Sequence, residues 1–275
     1  MDEIDFFRLG HQLHREKRYY EAWECFVMAN KIVPTLFDIP AAEKLILDIK
    51  NLKITPCYNG DTGKDLVFIV GMPRSGTTLL ERIINFHSNG KGSGELTEFA
   101  YIIDNFLLNK DYTIEEARSF YRKAQPAIKG KMVVDKLPRN VLSIGAIRSV
   151  FPDAKIINIR RDKFNNLMSM YTSHFDEILP YKYSWENLNI FYNQCENLLN
   201  FFEPFSIKYE DIVINFEETT KKVFKYIGLQ YEPSVINFWK DTKGVKTASR
   251  DQVNKPLYSD SLYKWNPYKE FLLNF

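Results

Sequence analysis

The 275-residue chain has only three cysteines, Cys25, Cys57 and Cys195, at wide spacings. No C-x-x-C pair occurs, so neither a zinc ribbon nor a disulfide framework is expected, and the usage suits a reducing compartment. No metal site is expected. No window approaches the roughly 18 uncharged apolar residues that a membrane-spanning helix needs. The first residues, MDEIDFFRLG, are acidic and lack an apolar run, so a signal peptide is not expected either, and the default location is cytoplasmic. Low-complexity stretches are missing too. Lys plus Arg number 37 against 35 Asp plus Glu, a formal charge of +2. Such a balance gives no general field for nucleic acid or a membrane surface, so any anion recognition must be local. What the chain does have is apolar and aromatic substance: 45% hydrophobic residues, with 21 Phe, 16 Tyr and 4 Trp, enough for a large core.

The length suggests one large or two modest domains. We read residues 1–55 as a helical segment and residues 64–275 as the main domain. In 4–33, Leu9, Leu13, Ala22, Phe26 and Ala29 recur at helical spacing, with a break near Lys17–Tyr19 and a stop at Pro34. The pattern resembles one tetratricopeptide repeat, with Phe6 where Trp is usual. A lone repeat cannot bury its own apolar face, so it should dock on the next domain or on a partner, and a protein contact through these helices stays open beside a plain capping role. A helix over 40–52 follows, then a turn-rich stretch over 55–65.

Beyond it, short apolar runs at Leu66–Val70, Lys131–Val134, Lys155–Ile159 and Phe205–Tyr209 alternate with helical stretches over 76–87, 96–109, 114–124, 139–150, 164–175, 185–202 and 215–227. This alternation predicts an α/β fold, a P-loop-like parallel sheet flanked by helices. Ligands in such sheets sit at the carboxyl ends of the strands.

At the first of those ends the chain reads LVFIV-GMPRSGTT-LLERIINFH. Amides of the loop and the first helical turn lack intrahelical partners and face outward with the positive end of the helix dipole. Arg74 adds a cation, and Thr77 and Thr78 add hydroxyls. The nucleoside-triphosphate loop is G-x-x-x-x-G-K-S/T, and here Thr77 stands where Lys belongs, so the cradle suits a shorter anion such as a 5′-phosphate. A second strand-turn-helix, AKIINI-RRDKFNNLMSMY, places Arg160 and Arg161 at a strand end with Ser169 two turns on. Two phosphate sites suit a nucleotide phosphorylated at both 3′ and 5′ positions.

The PRSGTT run of residues 73–78 resembles the sulfotransferases that use 3′-phosphoadenosine 5′-phosphosulfate (PAPS). Together with the N-terminal repeat, it resembles the bacterial tetratricopeptide-repeat enzymes, and the catalytic part is similar to the tyrosylprotein sulfotransferases. The resemblance covers about residues 64–268. It implies that Arg74, Ser75, Gly76, Thr77 and Thr78 hold the 5′-phosphosulfate and that Arg161 and Ser169 hold the 3′-phosphate. The family's Arg-Asp-Pro is here Arg161-Asp162-Lys163, and an Arg of the tyrosylprotein enzymes is replaced by Ser173.

Glu95, in a loop made mobile by Gly90, Gly92 and Gly94, aligns with the general base of the tyrosylprotein enzymes and would act as such if burial raised its pKa. Glu98 is the competing carboxylate. Lys136, after the strand KMVVD, aligns with the Lys that contacts the leaving oxygen, a role Arg74 shares. Tyr209 resembles the cofactor-contacting Tyr of a Tyr-Glu-Asp element. Along the pattern Ser-x-Asp-Gln-Val-x-Lys-Pro, the residues Ser249, Gln252, Lys255 and Lys264 are implied contacts to phosphate or adenine, with Trp265 anchoring the tail. Of the four histidines, His87 reads as a helix-end partner and His174 as a residue that could face the acceptor.

The function expected is sulfuryl transfer from PAPS to an acceptor hydroxyl, with protein tyrosine, sugar and small alcohol or phenol all open. The alternatives are a P-loop nucleotide kinase, disfavoured by the missing Lys and by the lack of a clear strand-end Asp for magnesium, and an inactive nucleotide-binding interaction protein.

Overall fold

The computed structural model of the chain describes residues 1–108, 111–240, 257 and 259–272. Three helices come first, α1 (Glu3–Arg15), α2 (Tyr19–Ile32) and α3 (Ile39–Asn51). The sheet elements and helices then follow as β1 (Leu66–Val70), α4 (Thr77–Phe86), β2 (Gly90–Gly92), α5 (Glu98–Leu108), α6 (Ile114–Ala124), β3 (Met132–Asp135), α7 (Ile144–Val150), β4 (Lys155–Arg160), α8 (Lys163–Tyr171), α9 (Trp185–Phe202), β5 (Phe205–Lys208), α10 (Tyr209–Ile214) and α11 (Phe216–Ile227). Pro138 opens a 3₁₀ turn, Pro138–Ser143, where a single helix is expected from sequence; proline at its start lacks the N–H that the first turn leaves unpaired anyway.

The five strands are all parallel, in the order β2-β3-β1-β4-β5. β1 therefore lies at the centre, between β3 and β4. Chain direction across the sheet reverses there, which opens a crevice at its carboxyl end.

Strand periodicity divides the core. Leu66, Phe68 and Val70 face one side, among Phe99, Tyr121 and Phe151, while Val67 and Ile69 face the other, among Leu80, Ile83 and Phe224. The N-terminal hairpin belongs to the first of these clusters through Phe7, Trp23 and Phe26. Polar bonds fasten it as well. His11 Nε2 lies 2.9 Å from the carbonyl of Thr172, and Asn30 Nδ2 donates to the carbonyl of Tyr171 at 2.9 Å. Among the described residues no helix is long and apolar enough to cross a membrane.

Two segments depart from the sequence reading. Gly90–Gly92 is not a mobile loop but the edge strand β2, paired with β3. Its glycine serves close approach rather than motion: a Cβ on Gly90 would collide with the carbonyl of Ile84. The stretch after β5 is helical at once, since Tyr209–Ile214 forms α10.

Candidate active site

The loop from β1 to α4 is shaped by its neighbours. Arg74 takes the left-handed conformation, φ +66°, which is uncommon outside glycine and concentrates at functional sites. Gly76 has φ +110°, and a Cβ there would stand 2.6 Å from the Tyr209 ring, so only glycine fits between this loop and α10. Gly76 is also the N-cap of α4 and brings no side-chain cap. The first-turn amides thus keep their capacity for an anion. Ser75, Thr77 and Thr78 are buried at this corner. The Ser75 Oγ is buried and has no hydrogen-bond partner among the described residues.

At the end of β4 the pleat separates two arginines. Arg160 turns outward to Glu196, at 3.3 Å, and to Asn200. Arg161 turns inward: Nη1 donates to the carbonyl of Arg74 at 3.1 Å, and its guanidinium lies 4.8 Å over the Tyr209 ring. Asp162 caps α8 by accepting from the amide of Asn165, which orients the helix carrying Ser169. Arg74 Nε donates to Ser169 Oγ at 3.2 Å. The cradle and the Arg161–Ser169 pair, assigned from sequence to opposite ends of a nucleotide, therefore adjoin in one crevice. Ser173, in place of the tyrosylprotein enzymes' Arg, donates to the carbonyl of Ser169.

Lys264 closes this group of cations. Its side chain is half-buried, and its pKa is pushed down to about 8 by desolvation first and then by Arg74, Arg161 and Arg15. Like charges are gathered here at a cost, which a bound anion would relieve.

Beside the cradle, Glu95 and Lys136 form an ion pair. Lys136 is fully buried just past β3, while the Glu95 side chain is 42% exposed, so the burial on which its role as base is conditioned is not met. The pairing follows from the β2–β3 ladder, which continues past the strands: Ser93 N–H donates to Val134, and Lys136 N–H donates to Gly94. Glu81 of α4 secures the same turn by accepting from the amide of Gly94 at 2.8 Å, with its own pKa raised by burial.

A strand-end aspartate does exist, contrary to the sequence reading: Asp135 ends β3. It is buried, accepts from the Tyr121 hydroxyl at 3.1 Å, and has its pKa raised to about 8 by desolvation. Its carboxylate lies against Tyr121 in the core.

One of the remaining candidates is displaced: His174 lies beyond the end of α8, 3.4 Å from Glu3, and so faces α1. Glu98 begins α5, with Oε2 buried and without a hydrogen-bond partner among the described residues. His87 caps the end of α4 and bonds the carbonyl of Gln230 at 2.7 Å, as its position implies. Ser249, Gln252 and Lys255 lie outside the described residues. Sequence reasoning missed Glu81, which sits on α4 between Leu80 and Arg82, and Ser261, whose carbonyl accepts from Arg161 Nη2 at 2.9 Å. Only the four-residue spacing from Thr77 to Glu81, which puts both on one face of α4, hinted at the first.

A central strand that runs into a glycine turn and a helix without a side-chain cap, with a second basic turn on the adjacent strand, defines a P-loop-like α/β fold. The sulfotransferase family model matches residues 66–126 and 108–233, and the chain belongs to that family. It is 26% identical to an uncharacterized protein of Aquifex aeolicus, over 97% of this chain, and spans 40% of that relative's length. Among solved structures it is similar to the sulfotransferase domain of the curacin biosynthetic pathway, at 16% identity and TM-score 0.51 over 73% of this chain and 96% of that one. It is also similar to the sulfotransferase domain of the Synechococcus PCC 7002 olefin synthase, at 15% identity and TM-score 0.53 over 78% and 98%. These two likenesses show the shared fold.

Proposed function

We propose that the chain transfers a sulfuryl group from PAPS to an acceptor hydroxyl, with Glu95 as general base. The observation that carries this reading is the convergence of Arg74, Arg161, Ser169 and Lys264 beside the side-chain-uncapped start of α4. The residues fit the donor. The orphaned Ser75 hydroxyl, Gly76 and the Thr77–Thr78 turn suit a 5′-phosphosulfate, and Arg161 with Ser169 suits a 3′-phosphate. Bound there, the donor supplies the sulfuryl group.

The chain's own work is positioning and charge. As an acceptor oxygen bonds to sulfur and the bond from sulfur to the phosphate oxygen breaks, the acceptor proton passes to Glu95. Lys136 and Arg74 stabilise the charge that builds on the leaving phosphate. The ion pair with Lys136 holds the Glu95 carboxylate in place at the turn after β2. Phosphotransfer is less well served, because Thr77 replaces the P-loop Lys and Asp135 is engaged by Tyr121 in the core.

Calorimetry with adenosine 3′,5′-bisphosphate in metal-free buffer tests the binding, and transfer of labelled sulfate from PAPS to an acceptor panel tests the chemistry. Binding and transfer without metal are expected. A chain that binds ATP with magnesium and ignores the bisphosphate overturns the reading.

A further inference from the structure

The segment Ser259–Leu272 joins two parts of the molecule that share no strand. At one end it belongs to the basic crevice. Arg161 donates to the carbonyl of Ser261, and the hydroxyls of Tyr209 and Ser261 are 2.8 Å apart. Lys264 follows, its ammonium 4.3 Å from the centre of the Trp265 ring. At the other end the segment lies in the N-terminal hairpin. Trp265 and Tyr268 are buried. Trp265 meets the Phe26 ring edge-on at 6.4 Å and lies 5.3 Å from His14. Tyr268 stacks on His14, with its hydroxyl 2.9 Å from Nδ1, and Phe271 stacks on Trp23.

We propose that the N-terminal hairpin is a working part of the nucleotide site, its apolar face seating the chain's own C-terminal strap so that Ser261 and Lys264 stand beside Arg161. The inference rests on the reading of that crevice as a bisphosphate site. It gives the hairpin a role distinct from both a cap and a partner-binding repeat: the face that a single repeat leaves uncovered is filled in cis by Trp265, Tyr268 and Phe271. His14 and Phe26 are positioning residues, acting through Trp265 and Tyr268 on Lys264. The chemistry of the seat agrees. Burial first, and Lys264 second, hold the His14 pKa down to about 4, so the imidazole that Tyr268 stacks on is neutral and adds no further repulsion to the cations. By reciprocity, a bisphosphate that gains from Lys264 must also tighten the strap on the hairpin.

The test is calorimetry of adenosine 3′,5′-bisphosphate on the full chain, comparing Lys264→Met, Trp265→Ala and the double variant. Each single change is expected to weaken binding by about 10-fold, and the double to be no more than about 2-fold weaker than Lys264→Met alone, since both act through one contact. With PAPS, Trp265→Ala should raise KM while kcat stays within about 3-fold. Amide exchange of the unaltered chain needs no folded variant: the bisphosphate should slow exchange both in the strap and in α1. Wild-type affinity in Trp265→Ala, fully multiplicative losses, or protection confined to the crevice overturns the proposal. If the unaltered chain fails to bind the bisphosphate at all, the nucleotide reading itself falls, a result separate from a wild type that binds and a Trp265→Ala variant that binds equally well.

Discussion

Arg74 Nε and Ser169 Oγ lie 3.2 Å apart although 95 residues separate them in the chain. The contact joins the loop after β1 to the helix after β4, and so turns two separate anion motifs into one site. Removing either partner should therefore affect the nucleotide rather than the fold. Arg161→Ala, which deletes the neighbouring fork, should weaken bisphosphate binding by roughly 10- to 100-fold, the worth of a charge-assisted contact. Ser169→Ala should cost roughly 2- to 10-fold. Metal-free calorimetry measures both, and equal affinities in all three proteins would contradict the assignment.

Glu95→Gln tests the base. With the carboxylate gone, kcat should fall by about 10²- to 10⁴-fold while bisphosphate affinity stays close to wild type, because the proposed role of Glu95 is to take the acceptor's proton and not to hold a phosphate. Steady-state kinetics paired with calorimetry separates the two effects. Unchanged kcat would move the role to another carboxylate, such as Glu81, which accepts from Gly94 of the same turn.

The cation cluster predicts a proton linkage. Lys264 in the unliganded chain titrates near 8, below its ordinary value, because of burial and then Arg74, Arg161 and Arg15. A bound phosphate dianion raises that value. Between about pH 8 and the bound-state pKa, binding must take up a proton, and affinity should fall as pH rises through this window. Calorimetry in buffers of different ionisation enthalpy measures the uptake, and Lys264→Met should abolish it. For stability the sign is opposite: the folded pKa lies below the unfolded one, so the unliganded chain gains stability as pH climbs from about 8 toward 10.

Gly76→Ala should destabilise the chain by about 1–3 kcal/mol, for its φ of +110° and its contact with Tyr209 both exclude a Cβ. Urea unfolding reads the loss. Combining it with Tyr209→Ala should recover the part due to collision and leave the part due to backbone conformation.

The geometry of the loop after β1 was legible in the sequence because it is local: a buried strand, a glycine turn and a helix within twenty-odd residues dictate where the amides point. Strand-end residues such as Lys136 and Arg161 were legible for a similar reason, since a parallel sheet brings its carboxyl ends together whatever the loops do. β2 was not, because three residues with two glycines carry no apolar alternation, and its pairing depends on the close passage of Gly90 under Ile84. The inward turn of Arg161 against the outward turn of Arg160 depends on strand register. The bond from Arg161 to Ser261 spans 100 residues and uses a backbone carbonyl, which no side-chain pattern announces.

The most direct measurement is a crystal structure with adenosine 3′,5′-bisphosphate bound. The 5′-phosphate should lie on the Ser75–Thr78 turn and the 3′-phosphate against Arg161 and Ser169. A bisphosphate bound elsewhere, or reversed so that its 3′-phosphate occupies the turn, would contradict the account.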